Sequence, residues 1–226
     1  MDSESSSRAY EEDVGISSFG LASVKPEGGS IAYDDEHQSF LTRYSHVVWA
    51  KGFTITREMY EDDQYSVVGQ RKAQNLAFAM RQTKEVVVAN LYNRAFNNSY
   101  TGGDGVEMCA DDHPNWAGGT WSNYTNVDLS EAALEQAVIN IAKWENDRGL
   151  RIAVIPKKLI IPVDLQFEAK RLLYSEYRPD SANNDINAMY AMKAIPDGMV
   201  VNHYLTDTDA WFIRTNAPHG LKMSSG

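Results

Sequence analysis

The chain has 226 residues, of which 43% are hydrophobic and 23% charged, enough for one large folded domain or two small ones. Its 31 acidic and 21 basic side chains give a net charge of −10, which disfavours general binding to nucleic-acid phosphates. The single cysteine, Cys109, excludes an intrachain disulfide and a thiolate metal cluster. Since no run reaches the roughly 20 apolar residues of a membrane helix, and no signal peptide is evident, we expect cytoplasmic synthesis and no membrane partner.

The first 28 residues are polar and show no sustained period. They end in the strong breaker Pro26–Gly29. We expect residues 1–28 to form an extended arm that needs a partner to hold it; a disordered terminus is the alternative.

A strand-like pattern follows from Ser30 to Ile55. A short β run over 30–33 and a turn over 34–37 precede a long run over 39–55 that is rich in Thr, Val and aromatic residues. The odd-numbered positions of the long run are more apolar than the even-numbered ones, and they include Leu41, Val47, Trp49, Phe53 and Ile55. The pattern predicts a long two-stranded ribbon with one apolar face. Because two strands alone are marginal in water, we expect the ribbon to lie on its own subunit or on a neighbour.

The segment from about 58 to 98 contains no proline and a single glycine, Gly69. Leu76, Met80, Val87 and Leu91 fall mainly at helical intervals. We predict one helix of roughly 60 Å. Two helices broken near Gly69 or Thr83 are the alternative.

The second half of the chain predicts a compact α+β domain. After a glycine-rich loop, Asp128-Leu129-Ser130-Glu131 is a capping signal for a helix that we expect to stop at Gly149. Two β runs (152–155 and 159–161) and a helix over 163–174 come next, and the helix is expected to turn Leu165, Ala169, Leu172 and Leu173 inward. Strands over 199–205 and 210–215 are expected to form a hairpin around the turn 206–209.

Asp111, Asp112 and His113 form the best candidate metal or acid–base cluster, with Asp104 or Glu107 as possible additions. Because the three are adjacent in a loop, they cannot all point inward, and turn chemistry is the favoured interpretation. His203 with Asp207 and Asp209 is interpreted in the same way, as part of a surface hairpin. The sequence contains neither a nucleophile elbow nor a P-loop. We therefore expect no catalytic residue, no metal and no cofactor, and predict that the protein is not an enzyme.

Several short runs, in this order, are similar to those of one protein family: Arg8–Gly15, Gly52–Asp63, Met80–Glu85, Leu129–Gln136, Asp147–Arg151, Asn184–Asn187 and Val201–Thr206. With the order of arm, ribbon, long helix and α+β domain, nearly the whole chain resembles the Mu-like major head branch of the Hong Kong 97 capsid fold of tailed phages. The resemblance implies an N-terminal arm over 1–28 and an extended E-loop ribbon over 29–57. It also implies a peripheral domain over 58–127 with a spine helix over about 58–98. Residues 128–226 would form the axial domain and the start of the return to the peripheral domain.

Under this resemblance the protein is a major capsid subunit that assembles into pentamers and hexamers of an icosahedral shell in the virion. The shell encloses double-stranded DNA without sequence-specific binding, and scaffold, portal and decoration proteins are possible partners. Inter-subunit contacts are expected from ribbon aromatics and the two charged residues after them: Tyr33, Phe40, Tyr44, Trp49, Phe53, Arg57 and Glu58. The alternatives are an encapsulin-like nanocompartment shell and a metal-dependent hydrolase that uses Asp111, Asp112 and His113.

Overall fold

The computed structural model describes residues 2–62, 65–115, 118–178, 185–217 and 220–225. Asp63 and Asn184, each at one end of a run that carries the family resemblance, lie outside the described residues. The elements of the described residues, in chain order, are β1 (Asp2–Ser5), β2 (Tyr10–Ile16), β3 (Gln38–Ser45), α1 (Arg57–Glu61), α2 (Tyr65–Asn93), β4 (His113–Pro114), β5 (Thr120–Trp121), α3 (Glu131–Ala142), β6 (Pro156–Ile161), α4 (Gln166–Tyr174), α5 (Ala188–Ala191), β7 (Met199–Val201), β8 (Phe212–Thr215) and β9 (Lys222–Ser225). None of the helices in these ranges is long and apolar enough to cross a bilayer.

The predicted two-stranded ribbon is present, but its strands differ from those expected. β3 pairs antiparallel with β2, from Tyr10 opposite Ser45 to Ile16 opposite Gln38. The prediction that 30–33 supplies the partner strand is wrong: β2, which lies within the predicted arm, supplies it. Across the two strands, the Glu12 carboxylate and the Arg43 guanidinium lie 2.6 Å apart.

The long β run also ends earlier than predicted. β3 stops at Ser45, and residues 46–56, all of them described, form neither helix nor strand. Val47, Trp49, Phe53 and Ile55 were expected to form the apolar face of a long strand, and they do not, because this segment is not a strand. These residues lie beyond the end of β2, so they have no neighbouring strand with which to pair.

The predicted single helix is two helices, and the break lies at neither of the positions considered. α1 begins after Thr56, whose hydroxyl accepts from the Met59 N–H (3.4 Å), and ends at Glu61, with Asp62 as the C-cap. α2 has 29 residues, about 44 Å at 1.5 Å per residue. Gly69 and Thr83 lie inside it, and the Thr83 hydroxyl donates to the Ala79 carbonyl (2.8 Å), which leaves the helix intact.

The inward face of α2 was predicted only in part. Leu76 and Met80 are half-buried, but Val87 and Leu91 are exposed. Ala89 is fully buried instead, and close by, the Asn93 side chain donates to the Tyr204 carbonyl (3.1 Å) and accepts from the Thr206 N–H (3.0 Å). The C-terminal turn of α2 is therefore fixed to the chain that follows β7.

A three-stranded sheet in the order β7-β6-β8 forms one side of the core. β6 runs parallel to β7 and antiparallel to β8, so the predicted hairpin between 199–205 and 210–215 is wrong. Leu159, Ile160 and Ile161 are all buried, and this apolar strand takes the central position because both of its edges and both of its faces can be covered there. The strand predicted over 152–155 is also wrong: β6 begins at Pro156, where a missing N–H costs little.

The helices over the sheet agree better with the prediction. The Ser130 side chain accepts from the Ala133 N–H (3.2 Å) and caps α3 as expected, although α3 ends at Ala142, well before Gly149. α4 buries Ala169, Leu172 and Leu173. The core cluster therefore comes from the second half of the chain: Leu129, Leu134, Leu159, Ile161, Ala169, Leu172, Leu173, Met189 and Ile195.

The two terminal segments lie side by side. β1 pairs in parallel with β9, from Asp2 opposite Lys222 to Ser5 opposite Ser225. Backbone hydrogen bonds thus join the last described segment of the chain to the first.

Candidate functional site

The seven predicted contact residues lie along one continuous stretch of chain. Phe40 and Tyr44 are on β3, and Tyr33 lies in the β2–β3 connection. Trp49 and Phe53 lie in the irregular segment 46–56 that follows β3. Arg57 and Glu58 form the first turn of α1. All five aromatic side chains are exposed, from 41% for Phe40 to 92% for Tyr33. Their exposure makes them available to a partner, and their role in inter-subunit contacts stays a prediction.

The ribbon, defined as residues 10–45, has two chemically different faces. One face carries Tyr10, Glu12 and Arg43, where the guanidinium lies 4.4 Å from the centre of the Tyr10 ring and 2.6 Å from the Glu12 carboxylate. The other face carries Phe40, Thr42 and Tyr44, opposite acidic residues of β2. Thr42 lies against Gly103, where the Cβ of any other residue would collide with its hydroxyl. The ribbon is therefore seated on the 102–106 loop by this second face.

The backbone edges of the ribbon and the chain after it are also available. Among the described residues, β2 and β3 pair with each other alone, so each strand presents an outer row of peptide groups that another strand could bind. Tyr33 (92%), which was predicted, is among the most exposed apolar residues of this region, but Leu21 (82%), Val24 (95%) and Val48 (90%) were missed. For Val24 a signal was present, because an apolar residue close to the breaker Pro26–Gly29 has no local element in which to be buried.

The loop between the ribbon strands, residues 17–37 and called the tip here, is attached to the 146–150 turn by a set of hydrogen bonds that we call the clip. Arg148 donates to the Asp34 carboxylate (2.9 and 3.0 Å) and to the Asp35 carbonyl (2.9 Å). The Ser18 N–H donates to the Asp147 carboxylate (3.2 Å). The hydrogen bond from the Gly20 N–H, followed by that from Arg148, lowers the pKa of Asp34, so the carboxylate is ionised at neutral pH.

The candidate metal cluster is divided by the fold. Asp111 and Asp112 are exposed, whereas His113 is buried. Its Nδ1 lies 2.6 Å from the Asp104 carboxylate, and its ring stacks on Trp121 with 4.7 Å between centres. Within the described ranges, the structure brings no three ligating side chains together around a metal position. The His113–Asp104 pair holds β4 against the 102–106 loop, which is a structural role.

The second acidic set lies in the connection between β7 and β8. The Asp207 and Asp209 carboxylates hydrogen-bond each other, which lowers the pKa of Asp207 and, with the repulsion between them, raises that of Asp209. The Asp209 N–H also donates to the Asp207 carboxylate (3.3 Å). The two aspartates form a turn by themselves. The connection joins β7 to β8, which lie on either side of β6, and therefore does not close a hairpin.

A groove of about 870 Å³ lies between the end of α2, the 122–128 segment, α3 and β8. Aromatic rings line it, including Phe96, which stacks on Phe212 with 5.6 Å between centres. Cys109 is in its wall, and burial raises the pKa of this thiol to about 11. At neutral pH the thiol is protonated, which makes it a poor nucleophile.

The comparisons with known proteins agree with this architecture. The model of a family described as phage capsid protein matches residues 41–223. Two solved structures of the bacteriophage JBD30 capsid share the fold at 13% sequence identity. The first, titled as the capsid decorated with minor capsid protein trimers, has a TM-score of 0.67 and covers 91% of this chain and 88% of the other. The second has a TM-score of 0.71, with 91% and 89% covered. No curated protein matches the sequence.

Proposed function

Because this chain belongs to the phage capsid protein family, we propose that it is the major head subunit of a tailed phage or prophage. Copies of it assemble through pentamers and hexamers into an icosahedral shell in the virion. We further propose that the fold is the Hong Kong 97 fold in its Mu-like branch. The mixed helix-and-strand architecture shared with the JBD30 capsid supports this assignment.

The observation that carries the proposal is the exposed apolar surface of residues 10–56. Phe40, Tyr44 and Trp49 are 41%, 56% and 58% exposed on a two-stranded ribbon and the chain after it. Exposed large apolar side chains that are concentrated in one segment, rather than scattered singly over the surface, indicate an interaction site. In a shell every subunit offers the same surface to a neighbour, so each buried area is repeated throughout the assembly.

The proposed division of the chain follows the elements. The E-loop begins at Tyr10 rather than at residue 29, since β2 is one of its strands. α2 is the spine helix of a peripheral domain that continues to about residue 127. The core from Leu129 to Ile195 belongs to the axial domain, around which pentamers and hexamers close, and β9 returns to the peripheral side beside β1.

The charge balance supports a container rather than a DNA-binding protein. A net charge of −10 repels phosphate backbones, so the shell encloses DNA without gripping it and without reading its sequence. We propose no catalytic role for any residue. Scaffold, portal and decoration proteins are the proposed partners besides the chain itself; one JBD30 capsid structure carries minor capsid protein trimers.

Negative-stain microscopy with light scattering, on purified full-length protein at rising concentration, tests the proposal. Closed shells or five- and six-membered rings are expected. The matched variant replaces residues 10–45 by two glycines. Tyr10 and Ser45 are directly paired, and paired Cα atoms lie about 5 Å apart, so a short linker can join the chain without strain.

The excised variant should keep the far-UV circular dichroism of the helices and the cooperative melting of the core but remain monomeric. Shells formed by the excised variant would overturn the role of the ribbon. Full-length protein that stays monomeric at every concentration, with and without a co-expressed scaffold, would overturn self-assembly itself.

A further inference from the structure

The tip is a preformed unit whose shape does not depend on the clip. Its base is closed by the Ser17 N–H donating to the His37 carbonyl (2.9 Å) and by the His37 N–H donating to the Ser17 hydroxyl (2.8 Å). Its two sides are joined by the Gly20 N–H donating to the Asp34 carboxylate (2.8 Å). The tip can therefore present Asp34 and the Ser18 N–H in the same geometry wherever the ribbon points.

The 146–150 turn is equally independent. The Asn146 side chain accepts from the N–H groups of Arg148 (3.0 Å) and Leu150 (2.8 Å), and Gly149 adopts a φ of 76° that favours glycine. The Asn146 N–H donates to the Leu150 carbonyl (2.7 Å). Because these bonds hold the turn by itself, the backbone of Asp147 and Arg148 keeps its position when the tip leaves.

The clip satisfies polar groups but leaves the apolar side chains of the tip in water. Phe19, Leu21 and Tyr33 are 55%, 82% and 92% exposed although the clip is formed. Burial of such side chains is the main favourable term in association. The contacts within one chain are therefore incomplete on the apolar side. The polar side is incomplete as well, because the buried Nε of Arg148 has no hydrogen-bond partner among the described residues.

We propose that the 146–150 turn of one subunit is the receptor for the tip of a second copy of this chain, and that the clip within a free subunit is exchanged for the same clip between subunits in the shell. This inference rests on the proposed function and names the residues that would join the ribbon to its neighbour. Exchange of an identical element costs little, since every hydrogen bond broken within the chain is formed again between chains. The apolar residues of the tip then gain cover from the neighbour.

Charge reversal with mixing separates a clip within one chain from a clip between chains. Asp34→Arg and Arg148→Asp each place like charges against each other in an assembly of one variant, and each should lower the shell yield at least about tenfold. In an equal mixture, the tip of one variant meets the turn of the other with opposite charges wherever the two variants alternate, which a ring of six permits and a ring of five does not. Microscopy and sedimentation of the mixture should therefore show six-membered rings within about threefold of the wild-type yield.

Glu36→Arg is the matched control, because Glu36 is an exposed acidic residue of the tip that is not part of the clip; this variant should assemble like the wild type. Far-UV circular dichroism confirms that each variant is folded. Single variants that assemble at the wild-type yield would overturn the proposal. So would a mixture that forms no six-membered rings. If the double variant Asp34→Arg/Arg148→Asp recovers while the mixture does not, the clip lies within one chain. Wild-type protein that forms no shells would refute the proposed function instead, and this inference with it.

Discussion

Between residues 10 and 56, every large apolar side chain is exposed, from Phe40 at 41% to Val24 at 95%. Between 129 and 195, by contrast, Leu134, Leu159 and Ile161 are at or near 0% exposure. Both regions are rich in apolar residues, so composition does not separate them. What separates them is the number of layers: the second region packs α3 and α4 on a sheet, whereas the first is a two-stranded ribbon that rests on a loop and keeps its large apolar side chains exposed.

The comparison teaches that one chain can carry two kinds of apolar surface. The core of the second region stabilises the subunit by itself, and the apolar residues of the first region can contribute only when a partner covers them. α2 lies between these extremes: Ala89 is buried, while Val67 and Phe78 are 58% and 66% exposed. A helix of this length with such exposed apolar residues also has surface left for a neighbour.

A matched pair of leucine truncations gives the largest expected difference between the two regions. Leu134→Ala removes a fully buried side chain and should lower the free energy of unfolding by about 3 kcal/mol. Leu21→Ala removes one that is 82% exposed and should change it by less than about 0.5 kcal/mol. Urea unfolding followed by tryptophan fluorescence measures both. Equal costs would contradict the division into a core and an uncovered ribbon.

Reactivity of Cys109 tests whether the 101–127 loop belongs to the packed part of the molecule. Burial raises the pKa of this thiol to about 11 from 9.0, so the thiolate fraction at pH 8 falls by about a hundredfold. Modification by a disulfide reagent at pH 8 should be slower by about that factor in the native protein than in urea. A native rate equal to the unfolded rate would show that the loop is open.

Removal of helix caps compares the regions at a smaller scale. Ser130→Ala deletes the cap of α3, which packs on the core, and should cost about 1 kcal/mol, or about 3 °C in the thermal midpoint. Thr56→Ala deletes the cap of α1, a five-residue helix with no buried side chain, and should lower the midpoint by less than about 1 °C. Differential scanning calorimetry gives both midpoints. A larger loss for Thr56→Ala would place α1 inside the cooperative core.

The smallest expected effect is the acid response of the clip. The hydrogen bond from Gly20 and then that from Arg148 lower the pKa of Asp34 from 3.8. Because the folded pKa is the lower one, the stabilisation is fully present above about pH 4 and is lost as the pH falls through the folded pKa. The Gly20 amide resonance should report a midpoint below 3.8, and Asp34→Asn should remove the transition. A midpoint at or above 3.8 would show that neither the Gly20 N–H nor Arg148 stabilises the ionised carboxylate.

Local signals in the sequence were reliable where one element determines its own structure. The capping signal placed Ser130 at the start of α3, and the apolar spacing placed Ala169, Leu172 and Leu173 on the buried side of α4. The same kind of reasoning failed where pairing is between distant segments. β3 pairs with β2 across the whole tip, and β6 separates β7 from β8, because the choice of a partner strand depends on which other strands are present.

Local pattern and residue type were enough to predict the class of the chain: its family resemblance, the long helical segment, the α+β character of the second half and the lack of a catalytic motif. Which apolar residues are buried, and which are left for a partner, became known from the three-dimensional fold. Trp49 and Leu159 both lie in apolar runs, yet the first is 58% exposed and the second fully buried. The burial of a residue depends on what packs above its strand, and distant parts of the chain supply that cover. The contact between Asp34 and Arg148 is likewise formed by residues that are 114 positions apart.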